Sequence, residues 1–338
     1  MDIRRVQMTG GSSFVLTLPK SWIESLGIKK NDPLGIVEEP NGTLLITKNI
    51  SEEKIERIKT LKVNEATDPI YFFRILIGTY IAGFTSITII AEKTIPSRLK
   101  VKIREFTSMV IGPEVIEESE KTILLKDLLN PLEMPFRNSL KRMFVLVKGM
   151  HKDSIRALLS EDHDLADDVM ARDNDVDRLF WLISRQNNMI MTNIYLARKM
   201  ETTISHVMPH YLISRILERV GDHAVRIARN SKRITRDETG EELLHMIEEA
   251  ADSSLKLFEK SLESFFVNDS HMANITIESI HRLEEYYSEI NREIRHKPTE
   301  IALPIRNISD SIRRFGEYST DIAEIVINYS IMFEDNTS

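Results

Sequence analysis

From Pro135 to Phe333 apolar residues return every three or four positions with short polar breaks between the runs. That 3.6-residue period predicts amphipathic helices over about 135–160, 163–200, 207–235, 240–268, 270–296 and 301–333. In the last of these Ile305, Ile308, Ile312, Phe315, Ile322 and Ile325 fall on one stripe, which reads as core. The pattern upstream is different. Short β-rich runs at Arg4–Thr9, Ser13–Leu18, Leu34–Glu38 and Thr43–Thr47 alternate with the turns Gly10-Gly11-Ser12-Ser13 and Asn41-Gly42. Pro19 stops the second run. Ser21 and Glu24 stand in capping-box spacing before a short helix, Trp22–Leu26, which Gly27 ends.

Between these regions Ser51–Lys62 is polar with a helical pattern and reads as a connector. Asp68-Pro69 opens an apolar run, Ile70–Ala91, long enough to span a bilayer. Arg74, Gly78, Gly83 and the run Thr85–Ile90 break it into a helix followed by a strand, so no membrane span and a cytoplasmic location are expected. A helix at Ile95–Met109 and a hairpin of Glu114–Glu118 with Thr122–Leu125 complete a small α/β unit. The expected architecture is multidomain and mainly α: a small β module at 1–50, an α/β connector at 51–130 and two tandem three-helix bundles at 131–235 and 236–338.

Length and composition agree. A chain of 338 residues exceeds one ordinary domain, and 42 % hydrophobic with 29 % charged residues excludes a disordered or low-complexity chain. The absence of cysteine removes disulfides, thiolate metal sites and cysteine nucleophiles, leaving oxygen and imidazole as the metal donors. The net charge of −7 argues against wholesale coating of nucleic acid, but the first fifty residues carry six basic and five acidic side chains, so the acidity lies elsewhere.

The helical half repeats itself. Met208–Ala228 set against Leu303–Ala323, an offset of 95, pairs Pro209, Ile213, Ser214, Arg219, Gly221, Ile227 and Ala228 with identical residues. Upstream the offset is 107, pairing Asp162 with Asp269, Ala166 with Ala273 and Ile183 with Ile290.

Two resemblances follow from these residues. Val6, the Gly-Gly-Ser-Ser turn, Leu18-Pro19-Lys20, the run Trp22 to Ile28, Asp32 and the Asn41-Gly42 hairpin are similar to the SpoVT/AbrB (MazE-like) swapped-hairpin DNA-binding module. This resemblance implies a homodimer with interleaved hairpins and contacts to DNA through Arg4, Arg5 and Lys20. Ile23 and Glu24 depart from relatives that carry a basic pair there. The run Ile216 to Ala228, with Asp173-Asn174-Asp175-Val176-Asp177, resembles the PhoU family, phosphate-signalling proteins of two three-helix repeats. That resemblance implies control of phosphate uptake through a phosphate transporter or signalling-protein partner, and metal clusters at acidic motifs.

Asp173 with Asp177 and Glu218 with Asp222 are i, i+4 pairs, each on one helix face, so two facing helices would gather four carboxylates. Such a group needs a cation, a proton or an arginine, and the arginines at hand are Arg172, Arg178, Arg215, Arg219 and Arg226. The expected cofactor is a divalent or transition metal, Fe, Mn or Zn. In the second repeat Arg313 replaces the Glu218 equivalent, leaving Glu317 and Asp321, with Glu285 and Glu289 on the partner helix, as a weaker site. His206 and His210 share the i, i+4 spacing, but Pro209 marks a helix start and ordinary entry roles are expected.

The α/β connector shows no Gly-rich phosphate loop, nucleophile elbow or paired His and carboxylate and is assigned no chemistry; no enzyme is expected of the chain, and a metal-dependent phosphohydrolase is disfavoured because no nucleophile or base accompanies the acids. The expected function is a phosphate-responsive transcriptional regulator of phosphate uptake. The alternative is an accessory regulator of a phosphate or ion transporter, with the amino-terminal module acting only as a dimeriser.

Overall fold

The computed structural model describes residues 3–38, 42–48, 56–130, 133–200 and 202–334. The chain forms two compact units, Met1–Ile55 and Glu56–Ser338.

In the first unit β1 (Gln7–Thr9) and β2 (Ser13–Val15) pair antiparallel around the glycine turn, and β3 (Gly35–Glu38) pairs with β4 (Leu44–Thr47). The first two strands are shorter than the β-rich runs that contain them. The expected capping box does not form: the short helix α1 (Lys20–Ser25) starts ahead of Ser21, with Pro19 as its N-cap and no side-chain cap. Proline's fixed φ already matches a helix entry, so Ser21 falls inside the first turn. Gly27 takes the left-handed conformation, φ 58°, that ends it. The Asn41 half of the expected Asn41-Gly42 turn lies outside the described residues.

The second unit opens with a four-stranded sheet of order β5-β6-β8-β7, made of β5 (Ile58–Val63), β6 (Ser86–Ala91), β7 (Pro113–Glu118) and β8 (Thr122–Asp127). The helical expectation for Ser51–Lys62 is corrected over its second half, because Ile58–Val63 lies parallel to β6 in full register, Ile58 opposite Ser86 and Val63 opposite Ala91. Ladder bonds to an already formed strand outweigh the weak local helical pattern of so polar a segment. Residues 51–55 lie outside the described part. Two helices, α2 (Pro69–Ile81) and α3 (Ser97–Met109), pack Phe72, Leu76, Tyr80, Leu99, Ile103 and Phe106 against Ile87, Ile89, Ile123 and Leu125 of the sheet. Asp68 caps α2 by accepting from the Tyr71 N–H, with Pro69 at the first position, the entry its sequence predicts.

The helical half follows as α4 (Phe136–Ser160), α5 (His163–Thr192), the short α6 (Ile194–Lys199), α7 (Ile204–Ser231), the single turn α8 (Arg236–Thr239), α9 (Glu241–Val267), α10 (Ser270–Glu278), α11 (His281–Glu293) and α12 (Thr299–Glu334). The repeat is visible in its caps: Asp162 accepts from the Leu165 N–H and Asp269 from the Met272 N–H, starting the second helix of each copy. Pro209 does not mark a helix start. Thr203 caps α7 further upstream by accepting from the His206 N–H, and Pro209 sits inside the helix. The two copies share one interior: Phe258, Phe265, Phe315 and Ile322 of the second pack among Leu140, Met143, Val176 and Leu217 of the first.

Candidate functional sites

In the amino-terminal unit the basic residues proposed from sequence are all exposed: Arg4 and Arg5 precede β1, and Lys20 opens α1 with Glu24 3.6 Å from its Nζ. The apolar side chains of the strands are exposed too. Phe14 keeps 75 % of its surface, Met8 and Ile36 66 %, and Leu44 64 %, while Val37 is the one large apolar residue buried among those described in this unit. Four short strands in one copy enclose no interior of their own.

The acidic constellation lies where α5 faces α7. Asp173 and Asp177 project from α5, Glu218 and Asp222 from α7, and their charges act on one another. Burial, with Asp173, Glu218 and Asp222 adding repulsion, pushes the Asp177 carboxyl up to about 7. Burial and Asp222 raise Asp173 against the pull of Arg229; burial and Asp222 raise Glu218 against Arg219; burial raises Asp222, again opposed by Arg219. Neighbouring arginines are engaged elsewhere: Arg172 bonds Asp153 at 2.7 Å and Asp168 at 2.9 Å, and Arg178 faces Asp175 at 3.9 Å. Among the described residues none of the four acids is held in an ion pair. The structure thus brings the four together as a charged cluster. No three carboxylate or imidazole groups among the described residues are grouped closely enough to hold a metal ion in this conformation.

The second repeat is built differently. Glu317 is clamped by Arg313 and, at 2.9 Å, by Arg314, and the Arg313 guanidinium lies 4.8 Å from the Tyr287 ring centre. Asp321 is raised by burial and by Glu324 and Glu317. Glu285 and Glu289 are exposed on α11. His206 and His210 serve the entry of α7: the His206 ring meets the Thr203 hydroxyl at 2.7 Å, and the His210 ring meets the His206 carbonyl at 2.8 Å.

Sequence reasoning missed a cavity of about 480 Å³ beside the acids, lined by Asp173, Asp222, Arg226, Arg229, Arg233 and Asn307 among others. It weighed Arg226 only as a counter-ion, although the i, i+3, i+7 spacing of the arginines was there to be read. It also missed His151, 1 % exposed on α4, its ring centre 3.9 Å from that of Phe315 at a 30° tilt and its pKa held near 4 by burial.

The family profile of the PhoU domain matches residues 140–231 and 247–326, together just over half of the chain. The profile described as antidote-toxin recognition MazE, bacterial antitoxin, matches residues 7–54. No curated protein matches the chain at a significant level. Two solved structures are similar to part of the chain. The phosphate transport system regulatory protein PhoU from Streptococcus pneumoniae is 19 % identical, over 57 % of this chain and 92 % of its own, at TM-score 0.49. PhoU from Pseudomonas aeruginosa is 22 % identical, over 59 % and 96 %, at TM-score 0.51, a likeness of fold. No described helix is long and apolar enough to cross a membrane.

Proposed function

The chain belongs to the PhoU family, and from that premise we propose that it is a homodimeric, phosphate-responsive transcriptional regulator of phosphate uptake. One observation carries this reading: a MazE-like module and a pair of PhoU domains occur in a single chain, joined through a small α/β domain. The domain division proposed is 1–50, 51–130, 131–235 and 236–338. The module's bare apolar strands call for a second copy, whose hairpins would cover Phe14, Met8, Ile36 and Leu44. Dimerisation doubles Arg4, Arg5 and Lys20 about a two-fold axis, which suits phosphates on two turns of a duplex. The helical half would sense or relay phosphate status to DNA occupancy or to a transporter or signalling protein, without catalysis of its own.

The acids Asp173, Asp177, Glu218 and Asp222 are proposed to take a divalent or transition cation, Fe, Mn or Zn. Four unpaired, half-buried carboxylates, all raised by burial and three of them also by neighbouring acids, suit a hard cation in donor chemistry. Their present spacing does not, so binding requires the side chains to turn inward. A bound cation would supply charge neutralisation between α5 and α7. In the second repeat Asp321 with Glu285 and Glu289 form the weaker proposal, since Glu317 already has two arginine partners.

The test is binding of the full chain to the DNA upstream of its own gene and of phosphate-transport genes, measured against salt. Six phosphate contacts predict a log–log slope of about −5. The triple variant Arg4→Ala, Arg5→Ala, Lys20→Ala should bind weakly with a shallower slope. Retained dimerisation with no binding by the parent protein overturns the DNA reading in favour of an accessory regulator of a transporter.

A further inference from the structure

The cavity beside the acidic cluster has a basic wall that neither the DNA reading nor the cation reading uses. Arg226 and Arg229, at i and i+3, share one side of α7, and Arg233, two residues past its last residue Ser231, lines the same cavity. From Arg226 to the last helical residue, Ser231, the axis already rises about 7.5 Å at 1.5 Å per residue, so the row is longer than one phosphate group. Among the described residues none of the three is ion-paired. Arg226 donates to the Asn307 carboxamide oxygen at 3.3 Å, Asn307 donates to Asn230 at 3.2 Å, and Asn230 donates back to the Arg226 carbonyl at 2.7 Å. This relay crosses from α12 to α7 and orients the first guanidinium towards the cavity the two helices share.

The fold does not require these arginines. Under the 95-residue offset the second copy builds the same helix with Asp321 in place of Arg226, Glu324 in place of Arg229 and Asn328 in place of Arg233. One copy therefore presents a basic cavity wall and the other an acidic face, on the same backbone.

We infer that this cavity binds a linear oligophosphate anion, inorganic or carried on a nucleoside, along Arg226, Arg229 and Arg233. A guanidinium offers paired donors that match two phosphate oxygens, and a chain of phosphates presents such oxygens at each step, so every arginine finds a partner. A compact tricarboxylate reaches fewer of them. Asp173 and Asp222, on the same cavity, place the anion towards the Arg229–Arg233 end by repulsion. A volume of about 480 Å³ lies within the range of small-molecule sites.

Titration calorimetry of the full chain, freed of divalent cations, with sodium tripolyphosphate, ATP, orthophosphate, sulfate and citrate at matched ionic strength tests the inference. Tripolyphosphate should bind one per chain and at least tenfold more tightly than sulfate or citrate. Arg229→Ala and Arg233→Ala should each weaken it roughly ten- to a hundredfold, as loss of a charge-assisted pair does. Arg295→Ala, an exposed arginine elsewhere, should leave it unchanged, and Asp173→Asn should tighten it. ATP binding tenfold more tightly than tripolyphosphate identifies the nucleoside form; equal binding identifies the inorganic chain. Sulfate or citrate binding as well as tripolyphosphate, or arginine variants without effect, overturns the inference. Because the protein is metal-free and no DNA is present, the outcome is separate from that of the proposed function.

Discussion

The Arg185 guanidinium and the Asp127 carboxylate form an ion pair sealed from solvent, Nη2 to Oδ2 2.6 Å, with side chains 2 % and 4 % exposed. Arg185 belongs to α5 of the helical half and Asp127 ends β8 of the α/β domain. The same guanidinium also donates to the Tyr80 carbonyl and lies 4.7 Å from the Tyr80 ring centre. Asn188, one turn on, donates to the Ile81 carbonyl at 2.9 Å. The α/β domain is thus latched to the first bundle through polar groups, with its central ion pair out of reach of water.

Breaking that latch from one side should be costly. Asp127→Ala leaves a buried guanidinium uncompensated, and a loss of about 3–5 kcal/mol is expected by urea unfolding of the full chain. Arg185→Leu combined with Asp127→Ala should recover part of that loss. A single-variant loss under about 1 kcal/mol would show that water reaches the pair.

Asp177 should make the protein less stable as pH rises from about 4 to about 7. Its folded pKa of about 7 stands above the ordinary 3.8, so its contribution is full below the unfolded value and is lost as pH rises through 7. Asp177→Asn should raise the melting temperature at pH 8 by a few degrees, corresponding to about 1 kcal/mol after solvent screening. At pH 4, close to the unfolded value, it should change little. If the cation proposal holds, manganese or iron should raise the melting temperature of the parent protein at pH 8 and that of Asp177→Asn less; chelator should reverse the gain.

His151 acts in the opposite sense. Burial lowers its pKa from 6.5 to about 4, so its contribution is present above 6.5 and is lost as pH falls towards 4. The unfolded chain takes up a proton there that the folded chain refuses. His151→Gln should flatten the decline of melting temperature between those pH values, though His223, also held near 4 by burial, keeps part of it. An unchanged acid slope would mean that His151 is protonated in the fold.

The repeat offers a matched pair of glycines. A Cβ on Gly316 would overlap Leu283 and come within 3.2 Å of Ile280, whereas one on Gly221 would meet Val176 at an ordinary 3.4 Å. Gly316→Ala should therefore destabilise by about 1–3 kcal/mol through overpacking. Gly221→Ala should be neutral or stabilising by up to about 1 kcal/mol, because alanine favours helix. Equal melting temperatures for the two variants would contradict this difference in packing.

Much of the fold is legible along the chain because its causes are local. The stripe from Ile305 to Ile322 and the Asp68-Pro69 entry each depend on residues within a turn or two of one another, so the sequence records them directly. The repeat offset likewise pairs Gly221 with Gly316 from sequence alone. What lies between distant segments left no such record. Ile58–Val63 became a strand only because β6, far along the chain, offered a partner, and Pro209 could be absorbed into α7 once Thr203 had capped it. The acids at 173, 177, 218 and 222 were visible as two pairs, but their mutual repulsion, the diversion of Arg172 to Asp153, and the gathering of Arg226, Arg229 and Arg233 with Asn307 were decided by which helix faces met. Periodicity tells which side of a helix is buried; electrostatics depends on through-space distance to side chains from elsewhere in the chain, and that is set only when the helices pack.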